Sequence, residues 1–186
     1  MQIPRSRIRG HRRDLSDNCR CLMTEQIRHK AFHPLARPRE LVVVCPAFKS
    51  HVNLSRLVRL AGCAGVTRIL TTGNGKVDPT IARDAADFVT IETRRSLLPV
   101  VKKLKEQGFR LVGLEQTDRS TSLYGYSFQR KTALVIGHER NGIEDEILRL
   151  LDDCVEIPVY GPPPSLNVVT ATTMAIYEYC KQLPEG

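Results

Sequence analysis

The sequence predicts an α/β fold, a mostly parallel sheet flanked by helices, and three observations predict it. Short apolar runs such as Leu41–Cys45 and Thr132–Ile136 have the composition of strands buried on both faces. Between these runs lie segments whose apolar residues recur every three or four positions, as on one face of a helix. The two kinds of segment alternate along the chain, which is the pattern of βα units feeding a parallel sheet.

Residues 1–39 are basic and polar, with a helix expected over 15–30. Pro34 and Pro38 then interrupt the chain ahead of Glu40. The expected organisation is a basic N-terminal extension, 1–39, and one domain, 40–183. After the strand Leu41–Cys45, Leu54, Leu57, Val58 and Ala61 predict a helix over 53–64. A strand follows over 66–71, a helix over 77–86 and a short strand over 88–91. An amphipathic helix over 96–107 stops at Gly108, a residue suited to the left-handed turn that ends helices. Arg110–Leu114 is the next strand. Residues 115–131 are polar and irregular, with one helical turn. Thr132–Ile136 is a buried strand, 143–151 a helix and 154–158 a strand. After Pro162-Pro163-Pro164, a long final helix is expected over 165–181, opened by Ser165.

The formal net charge is +8, and residues 1–40 hold ten Lys/Arg against four Asp/Glu, so six of those eight charges. Such asymmetry fits a basic arm that meets phosphate backbones, or a solubilising tail. Six cysteines occur without any C-x-x-C pair or histidines at zinc spacing. Cys45, Cys63, Cys154 and Cys180 stand in apolar runs and are expected to pack as small hydrophobes. No metal and a reducing compartment are therefore expected. No apolar run approaches 18 residues and the N-terminus lacks an apolar leader core, so the expectation is a cytoplasmic chain with no membrane partner.

The common nucleotide motifs are missing. Gly73-Asn74-Gly75 has no third glycine at Asp78, and no Walker A sequence occurs. Three other segments carry polar residues beside predicted strand ends, where ligands of such sheets bind. Asn53-Leu-Ser-Arg-Leu-Val-Arg59 places an asparagine at a helix start and an arginine nearly two turns on. Alone it reads as a cap and a solvated arginine. Gly137-His-Glu-Arg-Asn-Gly142 lets the backbone turn tightly around Glu139; alone it reads as a strand-to-helix turn. Ile157-Pro-Val-Tyr-Gly-Pro-Pro-Pro-Ser-Leu-Asn167 joins a strand to a helix start, which suits an anion or simple capping by Ser165.

Taken together, Asn53-x5-Arg59, Gly137-x-Glu139-x-x-Gly142-Ile143 and Ile157-Pro158…Gly161…Ser165-Leu-Asn-Val168 resemble the SpoU/TrmH branch of the SPOUT methyltransferases. Residues 41–182 follow the order and spacing of that catalytic domain. Glu115-Gln116-Thr117 and the segment from Leu151 to Pro158 are similar to the eukaryotic-type tRNA members. The resemblance implies an S-adenosylmethionine-dependent RNA 2′-O-ribose methyltransferase with a deep C-terminal trefoil knot, working as a homodimer whose active site lies where two subunits meet. It implies cofactor contacts from Leu114, Gly137, Gly142, Ile157 and Leu166. Asn53, Arg59, Glu139, Ser165 and Asn167 are the implied catalytic set.

Family mechanisms assign Arg59 as the base for the ribose hydroxyl. Arginine holds its charge tightly, so the softer reading is that Arg59 grips a phosphate and stabilises the developing alkoxide, while a phosphate oxygen takes the proton. Asn53, Ser165 and Asn167 would orient Arg59 and the ribose, and Glu139 would brace the cofactor loop or the arginine. Two positions depart from the family pattern: Val169 stands where serine is common, and Pro162-Pro163-Pro164 is unusually stiff. The expected substrate is tRNA, with a D-loop guanosine as target. The alternatives are a ribosomal RNA 2′-O-methyltransferase, a catalytically silent RNA-binding protein of the same fold, and an unrelated α/β enzyme for a small phosphorylated metabolite.

Overall fold

A computed structural model describes residues 27 and 30–186. Apart from Ile27 and Lys30, which are in neither helix nor strand, the helix expected over 15–30 lies outside the described residues. Residues Pro34–Gly186 form one compact unit. Its centre is a seven-stranded sheet in the order β3-β2-β1-β6-β4-β7-β5, and every pairing is parallel. The strands are β1 (Leu41–Cys45), β2 (Arg68–Thr72), β3 (Thr90–Arg94), β4 (Arg110–Leu114), β5 (Thr121–Ser122), β6 (Thr132–Ile136) and β7 (Asp153–Glu156). The helices are α1 (His51–Ala64), α2 (Pro79–Ala82), α3 (Ala85–Phe88), α4 (Leu98–Glu106), α5 (Asp145–Leu148) and α6 (Val168–Gln182).

The alternation of side chains along each strand sorts the core into two layers. Leu41, Val43 and Cys45 of β1 face one side, together with Leu57, Val58 and Ala61 of α1 and Ala175, Ile176 and Tyr179 of α6. Val42 and Val44 face the other, against Val101 and Leu104 of α4 and Ile147 of α5. The sheet is thus covered on both faces, as an all-parallel sheet must be. The carboxyl end of α6 is tied down by Tyr179, whose hydroxyl donates to the Arg130 carbonyl at 2.6 Å, and by Arg39, which donates to the carbonyls of Ala64 and Leu183. No described helix is long and apolar enough to cross a membrane.

Several expected elements differ in detail. The helix expected over 77–86 is two single turns, because Arg83 has φ 52° and breaks the chain's course. The break lets Ala82 enter the core while Ala85 seats against Gly62, where a Cβ would stand 2.5 Å from the Ala85 Cβ. The strand expected over 88–91 runs instead over Thr90–Arg94, with Phe88 ending α3 and exposed. The helix expected over 143–151 is only α5. The irregular stretch 115–131 holds the two-residue β5 and a 3-10 turn, Leu123–Gly125. Cys63 does not pack as a hydrophobe: helical rotation turns it outward between the buried Ala61 and Ala64, and it is exposed. Cys45 is buried, and Cys154 and Cys180 are partly so.

Two helix starts that bear on the site also differ from expectation. Ser50, not Asn53, caps α1: its Oγ accepts from the Val52 amide. Ser165 does not open the final helix. Asn167 does, its Oδ1 accepting from the amides of Val169 at 2.9 Å and Thr170 at 3.3 Å.

Candidate active site at the strand carboxyl ends

Three neighbouring strands, β6, β4 and β7, end beside one another, and the segments that leave them enclose a cleft of about 330 Å³. This is the place a parallel α/β sheet offers a ligand. Leu114, Ile136, Ile157 and Leu166 give it an apolar lining, and Gly137, Gly142, Ser165 and Asn167 lie along it. All five residues expected to contact a cofactor therefore line one cavity. Its acidic groups are Glu115, Glu139 and Glu156, and its basic ones His138 and Arg140.

The turn after β6 is built for close backbone approach. His138 and Gly142 exchange two backbone hydrogen bonds, at 2.9 and 3.0 Å, and Gly142 has φ 65°. A Cβ on Gly137 would stand 2.6 Å from the Gly142 carbonyl carbon, so this glycine has no room to be anything else. Beneath the turn lies a carboxylate that the motif reading did not assign to the site. Glu115 Oε2 accepts from the Ile143 amide at 3.2 Å, and Oε1 accepts from the Gln116 amide at 3.1 Å. A Cβ on Gly142 would be 2.7 Å from Glu115 Oε2. The sequence signal was an acid directly after a strand end, but its partner lies 28 residues away and only the fold reveals it.

The turn carries Glu139 to the edge of the cleft, where three chain segments meet. Asn53 is buried, and its Nδ2 donates to Glu139 Oε1 at 2.9 Å. The Lys49 amide donates to Glu139 Oε2 at 3.2 Å. Asn167 Nδ2 donates to Asn53 Oδ1 at 3.4 Å. Because Ser50 caps α1, the Asn53 amide is left for this contact. Burial alone would raise the Glu139 carboxyl, but the hydrogen bonds from Asn53, its own amide and Lys49, with His138 nearby, outweigh that and hold it below its ordinary value. The Cys45 thiol, just below on β1, is pushed up to about 12, chiefly by burial, against the hydrogen bond from Thr71 and with the charge of Glu139 adding to the rise.

Arg59 stands apart from this group. It is exposed on α1 and does not line the cleft. Six helical residues carry it about 9 Å along the axis from Asn53 and about 120° around it. Glu139 is engaged by Asn53 and Lys49 and makes no ion pair with Arg59. Asn53, Glu139 and Asn167 are brought together by direct bonds, and Ser165 lines the same cleft as Glu139 and Asn167, whereas Arg59 does not.

The SpoU rRNA Methylase family matches residues 40–177. The chain is 31% identical over 153 residues to the tRNA (guanosine(18)-2'-O)-methyltransferase of Escherichia coli K12, covering 80% of this chain and 66% of that protein. It is 28% identical over 153 residues to the enzyme of the same name from Aquifex aeolicus, covering 80% of this chain and 72% of the relative. The crystal structure of the A. aeolicus TrmH/SpoU tRNA modifying enzyme superposes with a TM-score of 0.76 at 28% identity, over 81% of this chain and 79% of that one. The chain spans just under two thirds of the length of the E. coli relative. With three quarters of the chain matched by one family and the same fold in a solved relative, the protein belongs to the SpoU rRNA Methylase family.

Proposed function

We propose that this protein is an S-adenosylmethionine-dependent RNA 2′-O-ribose methyltransferase acting on tRNA, with a D-loop guanosine as its target. The observation that carries the proposal is the convergence of Asn53, Glu139 and Asn167 at the mouth of a cleft formed by β4, β6 and β7. The names of the E. coli and A. aeolicus relatives support the nucleotide and the RNA. The cleft suits the donor: apolar side chains of Leu114, Ile136, Ile157 and Leu166 match a flat heterocycle, and three carboxylates match a molecule of net positive charge. S-adenosylmethionine, when bound, supplies a methyl group already activated on a sulfonium.

The chain's own residues then have to hold the ribose oxygen in line with that methyl and help the hydroxyl lose its proton. Asn53 and Asn167 present a fixed pair of amides beside the cleft. Ser165, exposed on the same rim, offers a hydroxyl to the ribose. Glu139 sets the orientation of Asn53 and braces the turn that carries Gly137 and Gly142. Arg59 grips a phosphate and stabilises the developing alkoxide, and a phosphate oxygen takes the proton. Since Arg59 does not line the cleft of its own chain, it serves the cleft of a second copy in a homodimer. The family resemblance also implies the trefoil knot, a reading supported by the strand order, in which the late strands β6 and β7 flank β4 on both sides.

The direct test incubates the protein with labelled S-adenosylmethionine and an unmodified tRNA transcript, then maps nucleosides by mass spectrometry. 2′-O-methylguanosine is expected; label on a base, or none, overturns the proposal. A relative named as a 23S rRNA (guanosine-2'-O-)-methyltransferase, from Xanthomonas campestris and 31% identical over 153 residues, favours a second reading in which the acceptor is ribosomal RNA. Parallel assays with 23S rRNA fragments separate the two. For the shared site, Arg59→Ala and Asn167→Ala should each be inactive alone and regain turnover when mixed, since every dimer that pairs the two variants would hold one intact centre. No recovery on mixing places Arg59 outside the partner's cleft.

A further inference from the structure

A second cavity, of about 590 Å³, lies beyond the ends of β1 and β2. It is bounded by the segment Ala47–His51, by Thr71 and Thr72, and by the loop Asn74-Gly75-Lys76. The loop is seated tightly: Gly73 has φ 71° with its Cβ position 2.9 Å from the Ala47 Cβ, and a Cβ on Gly75 would meet Leu54 at 2.6 Å. Thr72 Oγ1 accepts from the Ala47 amide at 2.9 Å and closes the floor. The cavity is therefore a built feature rather than a loose gap between loops.

Its charge is the reverse of the first cleft. Lys49, His51 and Lys76 line it, and among the described residues no carboxylate does. All three are exposed, and among the described residues none of their side chains makes an ion pair. Asp78 is the acid whose charge acts with His51, and its carboxylate is already taken by the Thr80 hydroxyl and amide. The cavity also begins where the first one ends. Lys49 lines it and donates its backbone amide to Glu139, which lines the other. One segment is thus the wall between a carboxylate-lined cleft and a lysine-lined one.

We propose that this second cavity is the acceptor-strand subsite: it holds one or two RNA phosphates flanking the target nucleotide, with Lys49 and Lys76 as the principal contacts and His51 and Asn74 as hydrogen-bond donors. The inference rests on the methyltransferase reading and deepens it. Charge divides the two substrates. The positively charged donor goes to the carboxylate side of Glu139 and the polyanion to the lysine side, so that the reacting ribose sits over the Asn53–Glu139–Asn167 group between them. Lysine serves here as a point charge able to follow a flexible backbone, which a single-stranded loop requires.

The test is the salt dependence of tRNA binding. Each phosphate contact to a single strand contributes about 0.7 to the slope of log affinity against log salt. Lys49→Gln combined with Lys76→Gln should lower that slope by about 0.7 if one phosphate is held and about 1.4 if two are, and weaken binding of an unmodified tRNA transcript roughly tenfold at low salt. Affinity for S-adenosylmethionine, read by calorimetry, should stay the same, which also reports that the pair of substitutions leaves the fold intact. Lys49→Arg with Lys76→Arg should keep the slope. A Gln pair with unaltered slope and affinity overturns the subsite while leaving the methyltransferase reading in place. Failure of that reading is distinct: it appears as no S-adenosylmethionine binding by the unaltered protein.

Discussion

Replacing Asn53 by Asp tests the polar centre more severely than truncating it. The change is isosteric, yet it sets a second carboxylate where the Asn53 amide now donates to Glu139 Oε1 at 2.9 Å. Two unit charges about 4 Å apart at an effective dielectric of about 20 repel by about 4 kcal/mol. Glu139 keeps about a fifth of its side chain in contact with solvent, which reduces the cost to about 2–3 kcal/mol. The pair escapes part of this by sharing one proton, so one carboxyl rises above its ordinary value of about 4. The sign of the pH dependence follows. In the unaltered protein Glu139 is held low, so its contribution is complete above the ordinary carboxylate range and is lost as pH falls through its folded value. In Asn53→Asp the raised carboxyl makes the folded state most favoured in acid, and stability falls as pH climbs from about 4 through the raised value. Urea unfolding at pH 5 and pH 8 reads this directly: little change for the unaltered protein, a drop of about 1–1.5 kcal/mol for the variant. Adding Glu139→Gln restores a donor opposite the new carboxylate and should recover most of the loss. An Asn53→Asp protein as stable at pH 8 as at pH 5, and within about 0.5 kcal/mol of the parent, would refute the bond on which the site is built.

Gly137→Ala should destabilise the fold by about 1–3 kcal/mol and weaken S-adenosylmethionine binding in the same protein, because its Cβ would stand 2.6–2.8 Å from Gly142 backbone that cannot swing away; unchanged urea midpoints would contradict the close turn. Iodoacetamide applied to the native protein at pH 8 should label Cys63, which is exposed, and spare Cys45, which burial holds protonated to about 12; peptide mapping that finds Cys45 modified would show β1 to be open. Removing residues 1–33 should weaken tRNA binding and reduce its salt slope while S-adenosylmethionine affinity stays constant, as expected of a basic arm; retained tRNA affinity would take the arm out of recognition.

Strands were the most legible part of the sequence. Leu41–Cys45, Arg110–Leu114 and Thr132–Ile136 fall where their apolar runs put them, since a strand covered on both faces needs no partner to declare itself. Helix starts were not legible, because Ser50 and Asn53, or Ser165 and Asn167, are equally good caps on paper. The choice is made by contacts that sequence spacing does not carry: Asn53 is drawn away by Glu139, 86 residues on. The break at Arg83 and the two-residue β5 have the same origin, the first in the seating of Ala85 on Gly62 and the second in pairing with β7. In the site, Asn53, Glu139 and Asn167 were legible as polar residues beside strand ends. Glu115 and Lys49 were not, because one acts from beneath a turn and the other through its backbone amide.

The ends of the polar chain determine the direction of every link in it. An ionised Glu139 can only accept, so Asn53 must turn its Nδ2 toward Glu139 and its Oδ1 away. The free amides at the start of α6 can only donate, so Asn167 must turn its Oδ1 toward Val169 and Thr170 and its Nδ2 outward. The two side chains are thereby left donor to acceptor, as the 3.4 Å contact between them requires. Protonating Glu139 removes the constraint at one end, and unwinding the first turn of α6 removes it at the other. Each end therefore depends on the other through two amides that have no second way to point, which is why a cap, a turn and a carboxylate from distant parts of the chain behave as one site.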